Sequence, residues 1–172
     1  MSGAAGNGTV GRDSLWLGMP LIFAATMAGM KVVAYGSLMH RPSLEATLRR
    51  PAALTRITIP GWRRVFNAPF PDGLSYLNIA PALSGQIEAG YFTVEAAELP
   101  LFADREAGSE LVEVMSGYHA FVWPRPAWRE LPVLRSYLEV CRQGADGLGV
   151  SLELGTTWPA VVHDDSAGPL YR

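Results

Sequence analysis

One stretch constrains this chain most: Lys31-Val32-Val33-Ala34-Tyr35-Gly36-Ser37-Leu38-Met39, an apolar and partly β-branched run that ends in Tyr-Gly-Ser. His40-Arg41-Pro42-Ser43 then leads into a helical pattern through Leu44 and Leu48. The order predicts strand, tight turn, helix. A buried strand ending in glycine leaves backbone N–H groups facing a cleft without a Cβ in the way, and a concave row of such donors suits a carboxylate or a developing oxyanion. The same nine residues also fit an ordinary strand end, so the reading needs a second element.

At 172 residues the chain fits one domain, which at this size buries roughly two-thirds of its unfolded surface. Half of it is apolar and 17% charged, so it is globular rather than disordered. The net charge is −2, and the basic pairs Arg49-Arg50 and Arg63-Arg64 are expected on solvated faces of a helix and a strand. Nucleic acid is therefore not an expected partner. The lone cysteine, Cys141, leaves no internal disulfide and no thiolate cluster for zinc.

Ahead of the strand, residues 1–14 read as a Gly-, Ala-, Ser- and Asn-rich tail, and Leu15 to Met30 is an uncharged run interrupted by Pro20. The run is short of the about twenty apolar residues a membrane span needs, and no clean small-x-small cleavage site follows it. Residues 1–30 are thus expected to be an extension without chemistry of its own, and 31–172 the domain. A membrane-tethered or exported form is the alternative that rests on this run.

Pro42 and Ser43 should open a short helix that Arg50-Pro51 ends. Ala53 to Asn67 reads as one long bent strand or two short ones around Pro60-Gly61. A turn at Pro69 to Gly73 follows. Leu74–Leu83 and Gln86–Val94 then read as a hairpin across Ser84-Gly85. Glu95 to Ala103 has the composition of a short helix, before a turn at Arg105-Glu106-Ala107-Gly108. Leu111–Met115 and Tyr118–Trp123 are strands about Ser116-Gly117, and a loop with Trp128 runs from Pro124 to Pro132. Leu134, Tyr137, Leu138, Cys141 and Ala145 share one helix face, with Gly144 or Gly147 as the stop. The last 25 residues read as mostly irregular. The class expected is α+β, a small curved or closed antiparallel-rich sheet with a few flanking helices.

His40, His119 and His163 lack ligand spacing, and His163-Asp164-Asp165 reads as an exposed tail cluster rather than a metal site. Cys141 lies on an apolar stripe and reads as a small buried hydrophobe. Ser37 is not in a Gly-x-Ser-x-Gly elbow, which argues against a serine hydrolase. Glu106 differs, because a turn-forming glycine and a strand start surround it. A lone glutamate is usually solvated; if this one is tucked into a cleft floored by Tyr35 to Leu38, desolvation would make its carboxyl a proton shuttle.

Several separated pieces resemble one family in order. Tyr35-Gly36-Ser37-Leu38 is similar to the Tyr-Gly-Ser signature of the γ-glutamylcyclotransferase-like group, which includes the bacterial and AIG2-like members. Gly90-Tyr91-Phe92-Thr93-Val94 resembles its Gly-x-x-Tyr-x-Val strand, with Phe92 for tyrosine. Leu101 to Gly108 resembles the segment carrying its catalytic glutamate, and Ser136-Tyr137-Leu138 with Gly144-Ala145 the helix after it. Thr157-Trp158, Asp164-Asp165 and Pro169 to Arg172 resemble the tail of the longer members. Departures stand at Ala103, Ser109 and Ser166, where relatives often carry aspartate, tyrosine and arginine.

The resemblance implies an enzyme, expected in the cytoplasm, in which the α-amine of a γ-glutamyl amine, peptide or conjugate attacks its own side-chain carbonyl. Ring closure releases 5-oxoproline and an amine. It implies Glu106 as general acid and base; backbone at Gly36, Ser37 and Leu38 holding a carboxylate or oxyanion; and Tyr35 and Tyr137 lining the cleft. No metal or organic cofactor is needed for this chemistry, and the partner is the small-molecule substrate. Ala103 and Ser109 favour the alternative of a non-catalytic binding module on the same fold.

Overall fold

The opening strand, β1 (Met30–Ala34), is buried on both faces: Val32 and Ala34 enter a core shared with the helices, and Val33 a second core on the opposite side. In the computed structural model, which describes residues 29–70, 72–125, 131–159 and 161–165, this strand is central. The expectations for residues 1–28, for Trp128 and for the tail from Ser166 lie outside the described residues.

The strand β1 pairs antiparallel with β3 (Ser75–Val94) and parallel with β5 (Tyr118–Val122). In turn, β3 pairs antiparallel with β2 (Thr55–Pro69), and β5 with β4 (Glu110–Met115). The two-residue β7 (Thr156–Thr157) adds to β2 in parallel, giving the order β4-β5-β1-β3-β2-β7. A second small sheet joins β6 (Val133–Leu134) to β8 (Val162–His163). The large sheet curls into a half-barrel, and the Trp62 indole N–H of β2 reaches the Val114 carbonyl of β4 at 3.0 Å across the curl. The expected α+β class with a curved, antiparallel-rich sheet is the one found.

The expected hairpin across Ser84-Gly85 is absent. Instead β3 runs through those residues, and the reversal lies earlier, where Gly73 (φ +81°) donates to Phe70 O at 3.0 Å and Asp72 Oδ1 accepts the Leu74 N–H at 2.9 Å. Pro60 pairs with Gln86 and Trp62 with Pro81, so residues 82–85 of β3 face Gly61 alone. Pro60 lacks an N–H and Gly61 sits at φ +79°, which breaks the ladder into a bulge. The turn signal at Ser84-Gly85 thus reflects close approach: a Cβ on Gly85 meets the Trp62 carbonyl at 2.6 Å.

The first helix, α1 (Arg41–Leu48), starts with Pro42 in its first turn, as the sequence predicts, and ends at Arg49 in left-handed geometry, one residue ahead of the expected Arg50-Pro51 stop. Ala96–Phe102 is a 3-10 helix, locked by Glu95 and Glu98 capping each other's backbone. The second helix, α2 (Arg135–Leu148), buries Tyr137, Leu138, Cys141 and Ala145 on its predicted face. It stops at Gly149 (φ +68°), however, and not at Gly144 or Gly147. Gly144 is a contact residue, since a Cβ there falls 2.4 Å from the His40 backbone nitrogen, while nothing lies within 4 Å of one on Gly147. The same substitution is therefore expected to act oppositely at two neighbouring helical glycines. Gly144→Ala costs about 1–3 kcal/mol through overpacking, whereas Gly147→Ala stabilises by about 0.5–1 kcal/mol; urea unfolding reads both.

Asp165 is buried rather than part of an exposed cluster, for it caps α2 from a distance, accepting the Ser136 N–H at 3.0 Å and the Ser136 hydroxyl. These bonds hold its carboxyl below the usual 3.8, so the stabilisation is complete above that value and is lost as pH falls through the lowered one. Asp165→Ala is expected to lower the melting temperature at pH 7, and a pH series of melts should show the difference vanish in strong acid.

Candidate active site

Glu106 is carried by a turn fixed from both sides. Phe102, fully buried and stacked between Phe92 and Phe121 at 5.9 and 5.4 Å, anchors the incoming end, and Glu106 N donates to its carbonyl at 2.8 Å. On the outgoing side, Ser109 donates to Glu106 O from its N–H at 2.9 Å and its hydroxyl at 2.6 Å. Gly108 has φ +88° and lies under the Trp123 ring, which a Cβ meets at 2.2 Å. The serine that departs from the family pattern thus buttresses the backbone of the glutamate.

Across the cleft, Gly36 follows β1 and Ser37–Met39 form a 3-10 turn. The first N–H groups of such a turn have no partner within it, and among the described residues no backbone acceptor takes those of Ser37 or Leu38. Gly36 is needed for space: a Cβ there sits 3.3 Å from the Leu77 side chain and 3.4 Å from the Tyr137 hydroxyl. That hydroxyl accepts the Leu77 N–H at 3.2 Å.

Arg64 fixes the peptide before Gly36. It is fully buried, contrary to the solvated face expected of Arg63-Arg64, although Arg63 beside it is exposed. Its Nε donates to Tyr35 O at 2.8 Å, and its other nitrogens donate to the carbonyls of Ser151, Leu154 and Glu88. Period-two alternation in β2 turns Arg64 inward beneath the Tyr35–Gly36 link, and carbonyl oxygens take the place of solvent. Because a trans peptide points its N–H opposite its C=O, the bond to Tyr35 O turns the Gly36 N–H to the other side. Burial pulls the guanidinium down to about 10.

The cleft has two overlapping lobes. One, about 310 Å³ counting the part open to solvent, is lined by Gly36, Ser37, Leu38, Tyr35, Tyr137 and Glu106 among others. The other, about 470 Å³ counting the part open to solvent, shares Tyr35, Ser37, Tyr137 and Glu106 and extends past Phe70, Tyr76 and Trp123. All six site residues expected from the sequence therefore line one cleft. Burial pushes the Glu106 carboxyl above the usual carboxylate range against the pull of Arg105, whose Nε lies 3.5 Å from Glu106 Oε1, too long for a hydrogen bond. The Tyr35 hydroxyl, donating to Phe121 O at 2.5 Å, is pushed up by burial and then by the charge of Glu106. The Cys141 thiol is raised to about 12 by burial, consistent with an inert core residue.

Sequence reasoning gave no role to Arg105, Arg64, Asn78 or the mouth aromatics. Arg105 ties the glutamate turn to α1 and the glycine turn, donating to Ser43 Oγ at 2.8 Å, Thr47 Oγ1 at 3.2 Å and Ser37 Oγ at 2.9 Å. Its position next to Glu106 was the one available signal.

No protein-family model matches the chain, and no curated protein does. Solved structures share its fold. YkqA from Bacillus subtilis aligns with a TM-score of 0.56 at 16% identity, over 69% of this chain and 48% of that one. A structure described as γ-glutamyl cyclotransferase aligns with a TM-score of 0.58 at 13% identity over 73% and 83%, and the uncharacterized protein loc79017 from Homo sapiens with 0.58 at 14% over the same shares. The chain thus spans about half the length of YkqA. At these identities the likeness establishes the γ-glutamylcyclotransferase-like fold. Among the described residues, no helix is long and apolar enough to cross a membrane, and no group of three or more His, Cys, Asp or Glu could hold a metal ion.

Proposed function

We propose that the protein closes γ-glutamyl amides to 5-oxoproline, releasing the attached amine. One observation carries this reading: a carboxyl made more basic by burial lines the same hollow as a glycine turn whose Ser37 and Leu38 N–H groups have no backbone acceptor among the described residues. The N–H groups of Gly36, Ser37 and Leu38 hold the glutamyl carboxylate or the oxyanion formed on the γ-carbonyl. Held so, the chain curls until its α-nitrogen touches that carbonyl, a positional effect of several kcal/mol, roughly up to ten.

Ionised Glu106 takes a proton from the attacking nitrogen. The new C–N bond closes the ring, and the tetrahedral carbon collapses by breaking the bond to the outgoing nitrogen, to which Glu106 returns the proton. A second proton also passes from the attacking to the outgoing nitrogen, so the α-ammonium becomes a lactam N–H and the product is an ammonium. Tyr35 and Tyr137 wall the hollow and keep water from competing.

The test is a panel of γ-glutamyl amines, peptides and conjugates assayed for 5-oxoproline. Release above background is expected with at least one class, and none across the panel overturns the reading.

A further inference from the structure

Arg105 is the one cation among the described residues that line the cleft, and neutral groups hold it in place. Its outer nitrogens donate to Ser43 Oγ at 2.8 Å, the Ser43 carbonyl at 3.3 Å and Thr47 Oγ1 at 3.2 Å on α1, and to Ser37 Oγ at 2.9 Å on the glycine turn. Ser43 and Thr47 stand one turn apart on the same face of the helix. All these anchors come from elements outside the glutamate turn, so they fix the guanidinium independently of Glu106. Its Nε is buried without a hydrogen-bond partner and stops 3.5 Å from Glu106 Oε1. The remaining titratable groups of the lining are the phenols of Tyr35 on β1, Tyr76 on β3 and Tyr137 on α2, which carry no positive charge in any form.

We propose that Arg105 is a positioning residue for the proton transfers of Glu106: its anchors hold a positive charge beside the carboxylate yet short of a hydrogen bond, so the carboxylate forms and its oxygens stay free. This rests on the cyclisation proposed above. A general base needs both conditions. Buried with no cation nearby, Glu106 would keep its proton and take none from the attacking nitrogen. Bonded directly to a guanidinium, its oxygen would be occupied and its basicity cut. Burial does raise this carboxyl, and the charge of Arg105 opposes it. The offset Nε edge meets both demands and leaves one buried N–H unsatisfied, a cost that native folds otherwise avoid.

The Glu106 carboxyl can be followed directly by ¹³C NMR of the full chain labelled at glutamate Cδ, with the Glu106→Gln spectrum identifying its signal. In Arg105→Gln, which removes the charge, the titration midpoint of Glu106 is expected to rise by about 1–3 pH units, the effect of a neighbouring opposite charge. Arg105→Lys keeps a charge and should bring the midpoint back towards wild type. The Ser43→Ala/Thr47→Val double variant keeps the guanidinium and removes two hydroxyl anchors, so Arg105 closes on the carboxylate and the midpoint is expected to fall. The acid limb of kcat/KM for 5-oxoproline release should follow the NMR midpoint in each variant. A midpoint that stays put in Arg105→Gln overturns the inference, as does an acid limb that stays while the midpoint moves. So does a midpoint that fails to fall in the double variant, which decides the matter should Arg105→Gln not fold. If no compound yields 5-oxoproline, cyclisation fails, and the NMR titrations alone decide whether Arg105 sets the charge of Glu106.

Discussion

Glu106→Gln lowers 5-oxoproline release by about 10²–10⁴-fold, the usual share of a positioned general acid and base, and leaves the fold intact. Glutamine keeps the shape and the turn, since the anchoring bonds from Ser109 and to Phe102 are made by Glu106 backbone. It cannot take the proton. Stability moves the other way. Burial raises this carboxyl above its ordinary value, so the native state holds a proton the unfolded chain has released, and stability falls as pH rises from the ordinary value through the raised one. Thermal melts across pH should therefore show glutamine gaining on wild type as pH rises. Activity, which needs the ionised form, should fall on the acid side with an apparent pKa above the ordinary carboxylate value. Equal turnover by the two proteins contradicts the assignment of Glu106.

Arg64→Ala is expected to cost roughly 3–5 kcal/mol, the range for breaking a buried charged network. The carbonyls of Tyr35, Glu88, Ser151 and Leu154 lose their donor at once, and a fully buried side chain leaves a void. Chemical denaturation measures the loss. Arg64→Lys should recover part of the stability, because one ammonium reaches some of four acceptors but cannot match the planar fork. An alanine variant within 1 kcal/mol of wild type contradicts this role, the ~1 kcal/mol being the ordinary effect of a point substitution.

The legible parts of the sequence were those where local chemistry decides. Apolar β1, Pro42 in α1, the stripe from Leu134 to Ala145 and Gly108 in its turn each act within a few residues, and each stands as expected. Glu106 and Gly36–Leu38 could be joined only through the family resemblance, because nothing local brings residues seventy apart together. The misread parts are those where a distant partner decides. Ser84-Gly85 looks like a reversal until β2 passes across it; Gly144 looks like a helix stop until His40 packs on it. Arg64 and Asp165 look solvated until four carbonyls and the start of α2 claim them. The aromatic mouth drew Phe70, Tyr76 and Trp123 from three segments, none unusual alone.

Isotope tracing tests ring closure most directly. A γ-glutamyl amide with ¹⁵N at its α-amine, incubated with the protein in H₂¹⁸O, should give 5-oxoproline that keeps the ¹⁵N in its ring and contains no ¹⁸O, together with unlabelled amine. Open-chain glutamate bearing ¹⁸O means water, not the substrate's own nitrogen, attacks the carbonyl, and contradicts the account.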